Sequence, residues 1–190
     1  MKKQLSALFA GLWLASQAYA LPTLEMDTSQ GKITLELYPE KAPKTVEMFL
    51  YNAKHGFYEG TVFHRVIEGF MIQGGGFLPS MEEKKPRTPA LQNEATNGLG
   101  NERGTLAMAR TQDPHSAKVQ FFINLKDNRF LNHQAPTDGR SWGYAVFGKV
   151  TQGMEVVDKI AKVPTGNHGY YENVPTTPVV IHSVKIISEK

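Results

Sequence analysis

Near the middle of this chain a guanidinium sits in apolar company. The run Phe63-His64-Arg65-Val66-Ile67-Glu68-Gly69-Phe70-Met71-Ile72-Gln73 sets Arg65 inside aromatic-rich, strand-like sequence. A charge there must be paired or must face a site, because burying it alone is very costly. Phe70, Met71 and Gln73 follow within eight positions and supply an aromatic ring, a thioether and an amide. One cationic donor beside an apolar pocket with a polar anchor suits a substrate that is greasy yet carries an amide.

A second run has the same character. Gln120-Phe121-Phe122-Ile123-Asn124-Leu125 alternates with the period of a strand. Phe121, Ile123 and Leu125 share one face and read as core, while Gln120, Phe122 and Asn124 share the other. Two amides around a ring can be an exposed edge with a stray phenylalanine, or the floor of a pocket flanked by hydrogen-bonders. Met71 and Gln73 likewise share a face. Strict alternation would turn Phe70 away from them unless Gly69 allows a bulge.

Other motifs carry less. Gly139-Arg140-Ser141-Trp142-Gly143 matches the nucleophile elbow of serine hydrolases, with Asp158 and His168 or His182 following. That elbow needs a strand before it and a helix after it. Here a Pro-containing loop precedes and a strand pattern follows, so the match is read as chance. Gly74-Gly75-Gly76 lacks the Lys-Ser/Thr of a phosphate loop and reads as a turn needing positive φ. The six histidines have no ligand spacing, and His64, alternating with Arg65, is expected to face the core.

The elements that must position these residues are short. Thr23 to Thr28 and Lys32 to Tyr38 read as a hairpin about Ser29-Gln30-Gly31. Residues 43–55 read as a helix, with Pro43 in its first turn and Val46, Phe49, Leu50 and Ala53 on one face. Strands follow at the Arg65 run, at Thr105 to Arg110, at Gln120 to Leu125, at Tyr144 to Val150 and at Val179 to Ile187. A helix is expected from Gly153 to Lys162, with Val156, Val157 and Ile160 inward. Leu78 to Arg103 reads as a long surface excursion, and Asn132 to Gly143 and Gly166 to Pro178 as loops. Two helices among short strands, without strand–helix–strand alternation, argue for an antiparallel barrel or sandwich.

The first twenty of the 190 residues read as something else. Lys2 and Lys3, the apolar stretch from Leu5 to Ala15, and Ala18-Tyr19-Ala20 have the layout of a cleavable signal peptide. The mature domain is then 21–190, and its net charge falls from +3 to +1 as the two lysines leave. That removes the charge argument for nucleic acid or an anionic membrane. The chain has no cysteine, so thiol chemistry and disulfides are excluded. An exported, periplasmic protein whose core alone must hold it is expected.

Taken together, Phe63 to Gly76, Met108-Ala109-Arg110, Gln120 to Asn124 and Val146-Phe147-Gly148-Lys149-Val150 resemble the cyclophilin family of peptidyl-prolyl cis–trans isomerases. The resemblance spans essentially all of residues 21–190. Gln73-Gly74-Gly75-Gly76 and Pro114-His115-Ser116-Ala117 are similar to the bacterial members, and the leader to their periplasmic branch. It implies a mainly β fold, an eight-stranded antiparallel closed β-barrel capped by two α-helices, with the site on its outer face. It implies a catalytic role for Arg65 and a proline pocket of Phe70, Met71, Phe122 and Leu131. Gln73 and Gln120 match amides of the groove, and Ala109 and Arg110 match the segment whose backbone pairs with substrate. Phe130 stands where eukaryotic members carry a cyclosporin-contacting tryptophan, and Tyr144 where they carry a histidine. Isomerisation of X-Pro bonds, no cofactor or metal, proline-containing polypeptides as partners, weak cyclosporin binding and a monomer are therefore expected.

Overall fold

The computed structural model describes residues 21–189. The expected signal peptide lies outside the described residues.

Ten strands and two helices form in order: β1 (Thr23–Thr28), β2 (Gly31–Leu37), α1 (Pro43–Lys54), β3 (Val62–Ile67), β4 (Met71–Phe77), β5 (Thr105–Met108), β6 (Phe121–Asn124), β7 (Val146–Gln152), α2 (Met154–Ala161), β8 (Thr165–His168), β9 (Tyr171–Pro175) and β10 (Val179–Ser188). Eight strands close into an antiparallel barrel in the order β1-β10-β3-β4-β6-β5-β7-β2. The barrel is the alternative that the sequence favoured jointly with a sandwich, and the form that the family resemblance implied.

Its interior is packed solid. Phe63, Val66, Ile72, Leu106, Met108, Phe121, Ile123 and Phe147 point inward and join the buried faces of both helices. Phe49 of α1 reaches Phe121 edge-on at 5.6 Å and Phe147 at 5.2 Å between ring centroids. A fully buried side chain of this size stabilises the fold by about 1.5–3 kcal/mol. Helix α1 starts at Pro43 without a side-chain cap of its own. Glu94 supplies one from the excursion: its carboxylate accepts from the Lys44 and Thr45 amides at 3.1 and 2.9 Å. A carboxylate there also complements the helix dipole.

Several sequence expectations need correction. The excursion 78–103 is not only surface. Met81, Asn93, Ala95 and Asn101 are buried in it, because its polar groups are bonded inward rather than to water. Gly74-Gly75-Gly76 is no turn but part of β4. Only Gly75 has positive φ, at 83°. A Cβ on Gly74 would press on the Phe63 ring, and one on Gly76 would collide with the Gln120 side chain. The segment 166–178, read as loop, holds the hairpin β8–β9. It lies outside the barrel and buries chiefly Val174 against Val62, Phe77 and Met81, so no apolar alternation advertises it.

His64 is the most informative departure. Phe63 pairs with Gly74 and Arg65 with Gln73, so β3 carries one residue more than β4 across this stretch. This is a β-bulge. Phe63 and Val66 remain inside the barrel, while Arg65 is exposed and His64 packs outside the interior cluster. The His64 ring lies 4.5 Å from Phe77, which Tyr171 covers at 5.2 Å. It is buried, and its Nδ1 has no partner among the described residues.

Burial, reinforced by the Arg65 charge and partly offset by the Val62 backbone, pushes its pKa down to about 4 from 6.5. At pH 7 both folded and unfolded forms are neutral there. Between pH 6.5 and 4 the unfolded chain takes up the proton and the folded one does not, so stability falls as pH falls. The full loss is on the order of 3 kcal/mol. Urea midpoints measured from pH 7 to pH 4 are expected to drop more steeply for the wild type than for His64→Gln; parallel curves would show that this ring does not drive the loss.

Candidate functional site

The candidate residues meet on the outer face of β3, β4, β6, β5 and β7. Register places them in one row across the sheet: Arg65 opposite Gln73, Gln73 opposite Phe122, Phe122 opposite Ala107, Ala107 opposite Val146. Phe122 and Ala107 lie between neighbours that point into the barrel, so alternation turns them outward, while Arg65 reaches this face through the bulge at His64. Met71, Ala107, Phe122 and Val146 form a second apolar cluster there, flanked by Ile67, Phe70, Leu99, Ala109, Leu131 and Tyr144.

A cavity of about 110 Å³ opens over this cluster, lined by Arg65, Phe70, Met71, Gln73, Ala109, Arg110, Phe122, Leu131 and Tyr144. Nine of the eleven site residues expected from the sequence therefore converge on it. Phe70 arrives by a tight turn rather than a bulge. Gly69 has φ of 68°, and the Phe70 amide donates to the Ile67 carbonyl at 3.1 Å. Leu131 comes from a single 3-10 turn, Arg129–Leu131. Tyr144 stands edge-on to Phe122 at 5.6 Å.

Two residues stand apart. Gln120 lies beside the cavity rather than in it, in a neighbouring depression with Ser116 and Lys118. Its Oε1 accepts from Gln73 Nε2 at 3.0 Å, so it orients the amide that does line the cavity. Phe130 stands at the rim, 63% exposed, stacked on Phe70 at 5.7 Å.

The charges are arranged unevenly. Among the described residues no hydrogen bond or ion pair engages the Arg65 guanidinium, so its donors face the cavity edge unspent. Arg110 is the opposite case. Its Nε donates to Gly143 O at 3.0 Å and its other nitrogens to Thr111 O and Gly139 O. The guanidinium carbon sits 4.2 Å from the centre of the Tyr144 ring, a contact worth about 0.5–2 kcal/mol. The Ala109 amide donates to Gln120 O at 2.9 Å and fixes the segment entering Arg110.

Sequence reasoning missed the scaffold beneath the walls. Asn124, expected to flank the pocket, is fully buried and bonds elsewhere. Its Nδ2 donates to Asn101 Oδ1 and Thr105 Oγ1, and its Oδ1 accepts from Asn128 at 2.8 Å. Asn128 also donates to Phe70 O at 2.9 Å, and Asn101 to Leu131 O at 3.2 Å and Tyr144 O at 3.3 Å. Three pocket walls thus hang on one asparagine network. The signal was the density of asparagines between 93 and 132, which read as loop composition. Ser141, the elbow serine, instead closes a turn with Asp138, whose Oδ1 accepts from its amide at 2.7 Å. No group of three or more His, Cys, Asp or Glu able to hold a metal occurs among the described residues.

Comparison with known proteins gives this geometry a family. The model of the cyclophilin type peptidyl-prolyl cis-trans isomerases matches residues 23–186. A peptidyl-prolyl cis-trans isomerase of Streptomyces antibioticus is 58% identical over 88% of this chain and 99% of its own length. One of Acinetobacter baylyi is 54% identical over 99% and 97%. Among solved structures, a Cryptosporidium parvum cyclophilin, crystallised in the presence of the dipeptide Ala-Pro, superposes with a TM-score of 0.73 at 27% identity, covering 87% of this chain and 99% of that one. With its eight-stranded barrel and these relatives, the chain belongs to the cyclophilin-type peptidyl-prolyl cis–trans isomerases and is an enzyme of that class.

Proposed function

We propose that the row at Arg65 is the active centre, and that Arg65 accelerates rotation about X-Pro bonds by donating a hydrogen bond to the prolyl nitrogen as the bond twists. The observation that carries this reading is an unspent guanidinium at the edge of a small apolar cavity. An amide resists rotation because nitrogen shares its lone pair with the carbonyl, a barrier of ~18–20 kcal/mol. Once twisted, the nitrogen is pyramidal and basic and can accept a hydrogen bond that the planar ground state cannot. Binding that exists only in the transition state lowers the barrier. A guanidinium suits the role, since its donors are planar and its charge is constant.

Phe70, Met71, Phe122 and Leu131 would hold the proline ring and exclude water, which strengthens the Arg65 contact. Gln73, oriented by Gln120, and the backbone at Ala109 and Arg110 would hold the flanking chain while the preceding carbonyl swings. Tyr144 and Phe130 would bound the groove. An acceleration of ~10⁵ needs about 7 kcal/mol, within reach of one charged hydrogen bond plus anchoring. The Ala-Pro named with the Cryptosporidium parvum structure is a ligand of the expected kind. No metal or cofactor has a part in this scheme.

The physiological role proposed is folding of exported, proline-containing proteins in the periplasm by a monomer that binds neither nucleic acid nor membrane. The leader pattern of residues 1–20 supports it, and the Acinetobacter baylyi relative aligns across that segment as well.

Three outcomes test these readings. Arg65→Ala is expected to slow isomerisation of a proline peptide by about 10²–10³, the cost of losing one preorganised donor, with the fold intact by circular dichroism. Arg65→Lys should recover only part, and unchanged rates would remove Arg65 from the mechanism. Cyclosporin is expected to inhibit weakly, and Phe130→Trp to strengthen inhibition; tight inhibition of the wild type would show that the rim phenylalanine does not set affinity. Mass spectrometry of protein from the periplasmic fraction of an expressing Gram-negative host should find a chain starting at Leu21, and recovery of only full-length cytoplasmic protein would overturn export.

A further inference from the structure

The 132–143 segment builds a second cavity against the first. It measures about 670 Å³ and shares Arg110 and Tyr144 with the smaller one. Its far wall is the turn Asp138-Gly139-Arg140. This wall is fixed rather than free. Arg110 ties it down through Gly139 O, and a Cβ at Gly139 would collide with the Gln112 carbonyl oxygen. Asp138 Oδ1 accepts from the Arg140 and Ser141 amides at 2.8 and 2.7 Å, which ties that oxygen to the turn, while the carboxylate charge also faces Arg140.

Against this one carboxylate stand two guanidinia, so the net charge of the lining is positive. Arg110 spends three of the five guanidinium N–H groups on neutral carbonyls, which leave its charge uncompensated. Arg140 is exposed. Among the described residues neither arginine forms an ion pair. Two guanidinia, one of them partly offset by Asp138, bound a preformed depression that a chain seated in the proline pocket must border.

We propose that this cavity is a subsite for a carboxylate side chain, aspartate or glutamate, carried by the substrate within three residues of the proline. The proposal rests on the Arg65 groove being where the peptide binds. Arg110, held over Tyr144, gives the carboxylate a fixed partner, and Arg140 on the turn gives it an exposed one. The subsite would set which X-Pro segments are processed fastest, without a part in the rotation itself.

The test is a set of peptides around one X-Pro bond, with glutamate or glutamine at each of the three positions on either side. kcat/KM is measured by NMR exchange. At one position, or two adjacent ones, the wild type is expected to favour glutamate by about threefold, as an exposed ion pair allows. The preference should shrink as salt rises, fall in Arg140→Gln, where Arg110 alone remains, and vanish or reverse in Arg140→Glu. Lys118→Glu, the same change of charge in the depression beside Gln120, should leave that position's ratio in place. Equal rates for glutamate and glutamine everywhere, a preference that survives Arg140→Glu, or an equal shift in Lys118→Glu would each overturn the subsite. A wild type that accelerates none of the peptides, the glutamine series included, would instead overturn the Arg65 reading on which it rests.

Discussion

The barrel is full, and the site is where it is for that reason. Phe63, Phe121 and Phe147, with the aliphatic residues between them and Phe49 from the helix above, leave no lumen for a ligand. Function must use the other half of each strand's side chains, those that alternation turns outward. On most of the surface these are polar. On β4, β5, β6 and β7 they include Met71, Ala107, Phe122 and Val146, which would be out of place on a surface with nothing to bind.

One extra residue completes the arrangement. Without the bulge at His64, the period of the strand would send Arg65 and Phe63 to the same face. With it, Phe63 fills the barrel and Arg65 stands opposite Gln73 in the row that crosses the sheet. His64 occupies the added position, and its burial under Phe77 and Tyr171 is a destabilising term at low pH. The strand thus buries an imidazole at the same step that turns its guanidinium outward, a conflict confined to two adjacent residues.

Much of this was legible in the chain. The periodicity of β1, β2 and β6 and of both helices follows directly from residue types, because each has one face on the core. The residues that line the small cavity could be named from motifs, since apolar groups on the outward set are conspicuous. What failed to read were elements whose stability comes from elsewhere. The β8–β9 hairpin is polar and leans on Val62, Phe77 and Met81. The glycines of β4 serve Phe63, Phe121 and Gln120, not a turn of their own. The asparagines at 101, 124 and 128 look like loop composition until their partners, distant in sequence, are known. Bulges are hardest, because a single inserted residue leaves no compositional trace.

Closure of the barrel has one more result. An open sheet presents unpaired amides and carbonyls along its edge, to which any extended segment can add. Here every barrel strand has two partners, and among the described residues only the short hairpin β8–β9 stands outside the ring. A catalyst of X-Pro rotation meets chains in extended, incompletely folded states, the very segments that would template on a free edge. The barrel itself offers such a chain no seam along which it could be zipped into aggregate.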